Sequence, residues 1–186
     1  MQGEARDASV GPSGRRLSGS QAYDRAVSAW PEPVERVAAF LREAGAEARL
    51  EEFPEGTPTA REAARAVGCE LAQIVKSLVF DCDGSAVVVL VPGDRRADAR
   101  KVATAVGCAK ARVARPDEVE RATGFTPGAV APFPLEGVRV FVERTLLAHE
   151  TVWVGAGSSR HIAGLAPTEL VRLARARPMD AVEEAT

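Results

Sequence analysis

Two apolar runs joined by a two-residue turn do most to limit the folds open to this chain. Residues 71–82 pass into one apolar strand, residues 86–91 form a second, and Asp83-Gly84 stands between them. An Asp-Gly pair between apolar runs is a strong hairpin signal, because both positions of the tight turn need positive φ angles. The second run has no polar position, which is typical of a strand covered on both faces. The sequence therefore predicts a β-hairpin whose second strand is fully buried.

Short helices and strands follow one another along the rest of the chain without a regular strand–helix alternation. This order predicts an α+β fold with a mixed, mostly antiparallel sheet. Within it, residues 138–142 and 151–154 are predicted to pair as antiparallel strands, and residues 160–165 to form an edge strand. The resulting fold would place hairpins at several points of the sheet.

The chain of 186 residues is long enough for one domain with a substantial core. Residues 1–22 are rich in Gly, Ser and Arg and have little to bury, so we interpret them as a flexible leader. Residues 23–177 are predicted to form the single domain, and residues 178–186 a frayed tail.

Composition excludes several classes of protein. Hydrophobic residues make up 46% and charged residues 27%, as in ordinary globular proteins, and no apolar stretch is long enough to span a membrane. The net charge of −2 excludes a protein that binds nucleic acid by bulk charge. The spacing of the three cysteines fits no zinc pattern, and their odd number favours reduced thiols and a cytoplasmic location. Neither of the two histidines belongs to a metal-binding pair, so we expect no metal and no cofactor.

Lys76 is one of only three lysines and lies inside the apolar strand. Strand alternation puts it on the same face as Ile74 and Leu78. A buried ammonium needs a partner or a cavity, because an unpaired buried charge is costly. Two interpretations remain open at this point: a functional cation, or a lysine that reaches water from an edge position.

The segment Gly124-Phe-Thr-Pro-Gly-Ala-Val-Ala-Pro-Phe133 combines prolines, glycines and small side chains. Proline fixes the backbone and glycine lets a ligand approach it closely, so the N–H groups of such a loop are available to a carbonyl oxygen or an oxyanion. An ordinary surface connection is the alternative. Composition alone does not separate the two.

Residues 94–115 hold seven basic side chains against two aspartates, a local excess in a slightly acidic protein. Such a surface fits a phosphate backbone, although a solvated helix face has the same appearance. Four members of this run are candidates for binding such a backbone: Arg95, Arg96, Arg100 and Lys101.

Several motifs occur together and in a fixed order: Gln73-Ile-Val-Lys-Ser-Leu-Val-Phe80, then Pro92-Gly-Asp-Arg95, the 124–133 loop, and Gly155-Ala-Gly157. With this combination the chain resembles the YbaK/EbsC family, which includes ProX-type proteins and the editing domain inserted in bacterial prolyl-tRNA synthetases. The resemblance covers about residues 34–173. It implies a curled mixed sheet with packed helices and an aminoacyl-tRNA deacylase that acts in trans.

The resemblance also implies the partners and the site. The substrate would be mischarged tRNA, held by its 3′-terminal aminoacyl-adenosine, and an aminoacyl-tRNA synthetase would be a further partner. Lys76 would be the catalytic residue, and N–H groups around Gly128 and Ala129 would stabilise the oxyanion. Candidate substrate-binding residues are Thr59, Ser77, Gly124, Thr126, Pro127, Gly128, Ala129, Gly157 and His161.

Thr59 and His161 each have a structural explanation as an alternative to substrate binding, and the function also has alternatives. Thr59 begins a capping box with Glu62 and is equally explained as a helix cap. His161 lies where the family's subgroups differ, in the stretch 158–162, and a structural histidine is its alternative. The alternative functions are a charged-tRNA-binding or regulatory module without turnover, and a hydrolase of a different small ester or amide.

Overall fold

A computed structural model of the chain describes residues 15–16, 30–57 and 59–183. The helices within these ranges are α1 (Glu32–Glu43), α2 (Ala60–Val67), α3 (Ala99–Val106), α4 (Pro116–Thr123) and α5 (Pro167–Ala174). The strands are β1 (Arg15–Arg16), β2 (Ala48–Glu52), β3 (Val75–Cys82), β4 (Ser85–Pro92), β5 (Ala111–Val113), β6 (Arg139–Glu143), β7 (Val152–Ser158), β8 (His161–Leu165) and β9 (Arg177–Met179). No described helix has the length and apolar character needed to cross a membrane.

The strands form two sheets. One has the order β1-β2-β8-β7 and is antiparallel throughout, and the other has the order β5-β3-β4-β6-β9 with parallel β4–β6 and β6–β9 pairs. A bridge between Ile74 and Trp153 joins the sheets where β3 begins. The α+β class with a mixed, mostly antiparallel arrangement is confirmed.

The predicted hairpin is present as β3 and β4, which pair from Val75–Pro92 to Cys82–Ser85. Asp83 and Gly84 form the turn with φ angles of 51° and 87°. The Asp83 carboxylate also accepts hydrogen bonds from the backbone N–H groups of residues 109 and 110. Strand β4 is buried from Val87 onward, as the unbroken apolar run predicts.

Three groups of apolar side chains make up the core. The largest lies between the two sheets and α1, and the second packs α3 against the outer face of β3 and β4. The third and smallest includes Phe53, Ala63, Ile74 and Trp153, and joins α2 to the junction of the sheets. This third group positions the candidate site, because its members also line the cavity described below.

Two predictions about strand pairing are wrong. Residues 138–142 and 151–154 do not pair: β6 lies between β4 and β9, whereas β7 pairs with β8. Strand β8 is not an edge strand but lies between β2 and β7, with all five residues buried. Its polar first residue, His161, gives the pattern of an edge, although the Trp30 ring packs edge-on against that imidazole.

The C-terminal segment also differs from expectation. Residues 178–183 do not fray, because β9 pairs with β6 and Ala181 is fully buried. Residues 184–186 lie outside the described part of the chain. The proposed leader, residues 1–22, also lies outside it, apart from Arg15–Arg16, which pairs with β2.

Candidate active site

A cavity of about 310 Å³ lies where α2, β3, β7 and β8 meet. Five of the residues expected at a functional site line it together: Thr59, Lys76, Ser77, Gly128 and His161. Apolar side chains from the third core group form much of the remaining wall. The cavity therefore offers an apolar pocket with a few polar groups, the usual composition of a small-molecule site.

Lys76 is half-buried on β3, on the face it shares with Leu78 and Phe80. Its Nζ donates a hydrogen bond to the carbonyl oxygen of Arg95 over 2.5 Å. Burial lowers the pKa of the Lys76 ammonium below its ordinary value, while the Asp94 carboxylate partly opposes this and Arg96 adds to it. The Arg95 carbonyl thus holds the Lys76 ammonium in a defined orientation at the wall of the cavity.

Gly128 occupies the third position of a tight turn that begins at Thr126. Its φ angle is 85°, Pro127 precedes it, and the Ala129 N–H donates to the Thr126 carbonyl over 3.0 Å, which together make a type II turn. The Ala129 N–H is therefore already engaged within the turn. Within the described residues, the Gly128 N–H donates to no acceptor, and a Cβ built on Gly128 would meet nothing within 4 Å.

The segment after this turn packs directly on β7. A Cβ built on Gly155 would lie 3.0 Å from the carbonyl oxygen of Val130, so glycine at this position lets the loop and the strand approach. Ala129 and Val130 are both buried by this contact. The packing fixes the Gly128 turn against the sheet that carries the opposite cavity wall.

His161 is 2% exposed and lies at the start of β8. Its Nδ1 lies 2.7 Å from the Ser158 hydroxyl, and its Nε2 lies 3.8 Å from a Glu52 carboxylate oxygen. Burial lowers the pKa of His161 below its ordinary value, with Glu52 opposing the change. The imidazole is therefore neutral near pH 7, so it can accept the Ser158 hydroxyl proton in a hydrogen bond.

Thr59 and Ser77 line the cavity in different ways. The Thr59 hydroxyl accepts from the Glu62 N–H, and the Glu62 carboxylate accepts from the Thr59 N–H, which is the predicted capping box of α2. That hydroxyl is already committed to the helix. The Ser77 hydroxyl, by contrast, is buried and has no hydrogen-bond partner among the described residues.

The other candidate substrate-binding residues do not line the cavity. Thr126 and Pro127 are exposed members of the turn, and Gly124 ends α4 with its carbonyl bound to the Arg36 guanidinium. Gly157 is buried, and a Cβ there would lie 2.6 Å from the Pro33 carbonyl oxygen. Its small size is thus explained by packing against the start of α1.

The basic candidates surround the segment that follows β4. Arg96 and Arg100 are exposed, whereas Arg95 is half-buried and holds Lys76 through its carbonyl. The Lys101 ammonium donates to the carbonyl of Val182 over 2.9 Å. Part of the basic surface therefore adjoins the cavity, and part of it supports the fold.

The arrangement of the motifs around one cavity agrees with a family match. The aminoacyl-tRNA editing domain family matches residues 54–173, which is more than half of the chain. The chain belongs to the aminoacyl-tRNA editing domain family. The likeness to the YbaK/EbsC family seen in the sequence is thereby confirmed.

Relatives of this editing domain include an uncharacterized protein and proline–tRNA ligases. YwhH, an uncharacterized protein of Bacillus subtilis (strain 168), is 36% identical over 121 residues, which are 64% of this chain and 76% of that protein. A proline–tRNA ligase of Nitratidesulfovibrio vulgaris (strain DP4) is 32% identical over 128 residues, which are 68% of this chain but only 22% of the ligase. The editing domain thus corresponds to about a fifth of that ligase.

A solved structure shares most of the architecture of this editing domain. It is described as a candidate trans-editing enzyme for prolyl tRNA synthetase, and it superposes with a TM-score of 0.78 at 36% identity. The match covers 83% of this chain and 99% of the other.

The cavity wall of the editing domain also includes residues that were not predicted as site residues, among them Trp153, Gly155 and Ser158. Trp153 and Gly155 share the face of β7 that meets β3 and the Val130 segment. The small-residue run at 155–159 was the available signal, but sequence alone gives no reason to place it beside Lys76. No three His, Cys, Asp or Glu side chains of the described ranges stand together as a metal site.

Proposed function

We propose that this editing domain hydrolyses the ester that joins a wrong amino acid to the 3′-terminal adenosine of tRNA, and that it does so in trans. The observation that supports this most strongly is that the Lys76 side chain and the Gly128 turn line the same cavity. A cation and an unused backbone N–H are the groups that an ester carbonyl needs when negative charge develops on its oxygen.

In the proposed reaction, water attacks the carbonyl carbon of the ester and gives a tetrahedral intermediate with a charged oxygen. The Gly128 N–H and the Lys76 ammonium stabilise this oxygen. The bond from carbonyl carbon to ribose oxygen then breaks, and the ribose oxygen takes the proton that the attacking water gives up. The products are the free amino acid and an uncharged tRNA.

The attacking water needs no strong protein base in this scheme, because an aminoacyl ester is already activated. Positioning and electrostatic stabilisation supply the remaining acceleration. The ribose hydroxyl next to the ester orients the water. Ser77, whose hydroxyl is buried without a partner among the described residues, is a candidate contact for the substrate.

Selection between amino acids would come from the size of the cavity. Trp153 and Ile162 form part of the apolar wall and would limit the side chain that fits beside the ester. One methylene group changes binding by about 1–3 kcal/mol, which explains why a synthetase that confuses small amino acids needs a second sieve.

The likeness to proline–tRNA ligases supports a mischarged tRNA as substrate and a synthetase as the source of the error. The exposed side chain of Arg96, which acts electrostatically on Lys76, and that of Arg100 would contact tRNA phosphates. Editing of mischarged tRNA during protein synthesis agrees with the cytoplasmic location expected from the sequence.

The test is a panel of tRNAs, each charged with a different radiolabelled amino acid and incubated with the full chain. We expect release of the amino acid from one or a few mischarged tRNAs and none from correctly charged ones. Retention of charged tRNA on a filter without release would contradict hydrolysis and identify a binding module instead. Release from every ester, including a small aminoacyl ester without tRNA, would favour an unselective hydrolase.

A further inference from the structure

The Lys76 ammonium is connected to the C-terminal part of the chain through two consecutive carbonyl groups. Lys76 donates to the carbonyl of Arg95 over 2.5 Å. The next carbonyl, that of Arg96, accepts from the N–H of Glu183 over 2.9 Å. A single peptide unit thus separates the contact of the proposed catalytic residue from the contact of the C-terminal segment.

We call residues 177–183 the C-terminal strap. Beyond the Glu183 contact, its Ala181 carbonyl accepts from the Asp98 N–H over 2.7 Å, and Val182 bridges to Ala97. These bonds form a short antiparallel pairing with residues 96–98. The strap therefore holds the segment that presents the Arg95 carbonyl to Lys76.

The strap is in turn firmly fixed to the sheet. Strand β9 pairs with β6, and Met179 and Ala181 are buried in the second core group. The Ala181 N–H donates over 2.5 Å to Glu143, whose carboxylate is 2% exposed. A buried carboxylate that accepts from the strap's backbone is a strong anchor, because charge-assisted hydrogen bonds exceed neutral ones.

The turn after β4, which carries the Arg95 carbonyl, is fixed at its start by close packing at Gly93. A Cβ built on Gly93 would lie 2.6 Å from the carbonyl oxygen of Leu71, so the turn lies directly on the chain before β3. Between this contact and the strap, Asp94 and Arg96 are exposed. The position of the Arg95 carbonyl thus depends on supports at both ends.

We propose that the C-terminal strap positions the Lys76 ammonium for the editing reaction by holding the Arg95 carbonyl against it. This inference rests on the proposed function for the role of Lys76, but the strap's effect on the ammonium does not depend on any activity. The strap lies outside residues 54–173, the part matched by the editing family. Glu143 is accordingly a positioning residue rather than a catalytic one.

The sharpest variant is Glu183→Pro, which removes the N–H that binds Arg96. Residue 182 is already in a bridge, so the extended backbone that proline imposes on its predecessor is present. Glu183→Ala is the matched control, because it removes the side chain and keeps the N–H. Glu143→Gln is a second variant that weakens the strap from its other side, at the Ala181 contact.

The first readout is trace acetylation of the full chain with acetic anhydride over a range of pH, with each lysine followed by mass spectrometry. Lys110, which is exposed, is the internal reference. We expect the labelling midpoint of Lys76 to move upward in Glu183→Pro and Glu143→Gln, because a released ammonium gains water. Asp94, Arg96 and His161 are the other titratable or charged groups that face it. Glu183→Ala should leave the midpoint unchanged.

The second readout is single-turnover deacylation of the mischarged tRNA found in the panel. A misplacement of about 1 Å costs on the order of a hundredfold in rate, so we expect a loss of about tenfold to a hundredfold in both strap variants. An unchanged Lys76 midpoint in both variants overturns the proposal, whatever happens to the rate. A shifted midpoint with an unchanged rate supports the strap's effect on the ammonium and contradicts the catalytic role of Lys76.

Discussion

The Lys76 ammonium and the carbonyl oxygen of Arg95 lie 2.5 Å apart, although 19 positions separate the two residues along the chain. This bond directs the lysine of the cavity wall toward the turn after β4 and keeps the ammonium from extending freely into water. It explains how a cation is held on an apolar strand, because a buried charge needs a partner.

Replacing Gly128 tests whether the turn acts at the cavity or only shapes the loop. Because its φ angle is 85°, Gly128→Ala should lower the free energy of unfolding by about 1–2 kcal/mol. The new methyl group would also stand beside the free N–H, so deacylation should fall by about tenfold or more. Chemical denaturation and single-turnover rates measure the two effects.

Gly137→Ala is the matched control for this change. Gly137 has a φ angle of 70°, its Cβ position is equally open, and it does not line the cavity. It should lose similar stability and keep its rate. Equal losses of rate in both variants would show that backbone strain, not the cavity, is responsible.

Substitutions of Thr59 distinguish a role as a helix cap from a role as a substrate contact. Thr59→Ala removes the hydroxyl that accepts from the Glu62 N–H, so it should cost about 1 kcal/mol of stability. Thr59→Ser should restore that stability. If the cap is the whole role, the KM for tRNA stays constant across the series at a temperature where all variants are folded; a rise in KM with Ala that Ser reverses would assign a substrate contact.

His161 should make the fold less stable in mild acid. Burial lowers its pKa in the folded protein below the value of about 6.5 that it has when unfolded. As the pH falls through the unfolded pKa of His161, the unfolded chain takes up a proton that the folded chain does not, so the free energy of unfolding decreases. Above it, both states are neutral and the effect vanishes.

The measurement for His161 is urea denaturation at about pH 7.5 and about pH 5.5, on either side of the unfolded pKa. The wild type should lose more stability between the two than His161→Gln, which does not titrate there. Equal losses would mean that His161 keeps an ordinary pKa in the folded chain.

The exposed basic residues test whether tRNA phosphates bind beside the cavity. Arg96→Glu combined with Arg100→Glu should raise the KM for tRNA. In a plot of the logarithm of tRNA affinity against the logarithm of salt concentration, the slope should become shallower by about one unit for each phosphate that is no longer bound. Lys110→Glu combined with Arg175→Glu has the same charge change at exposed residues outside the cavity wall. A small aminoacyl ester should be hydrolysed equally by both double variants, and an unchanged KM for tRNA in the first would contradict the binding of phosphates there.

What the sequence could predict was largely local. The Asp83-Gly84 hairpin and the Thr59–Glu62 capping box follow from residues at most a few positions apart, and both are present. The order of strands across the sheets depends on pairing over long separations, which no local pattern encodes. The position of β8 between β2 and β7 was missed for this reason.

The site shows the same division between local and distant effects. The unusual position of Lys76 was visible because a lysine stands out in an apolar strand. Its bond to Arg95 was not visible, since a backbone carbonyl leaves no trace in the sequence. Among the described residues the Gly128 N–H is free, whereas the Ala129 N–H is engaged within the turn. This difference follows from the turn geometry that the chain adopts.

The central claim is that the Lys76 ammonium takes part in ester hydrolysis, and single-turnover deacylation of a mischarged tRNA tests it most directly. The comparison uses wild type, Lys76→Ala and Lys110→Ala, with folding verified for each. Removing one group that stabilises an oxyanion costs on the order of a hundredfold to a thousandfold, so Lys76→Ala should lose about that much, while Lys110→Ala retains the wild-type rate. If Lys76→Ala, correctly folded, releases the amino acid as fast as the wild type, the role assigned to Lys76 is contradicted.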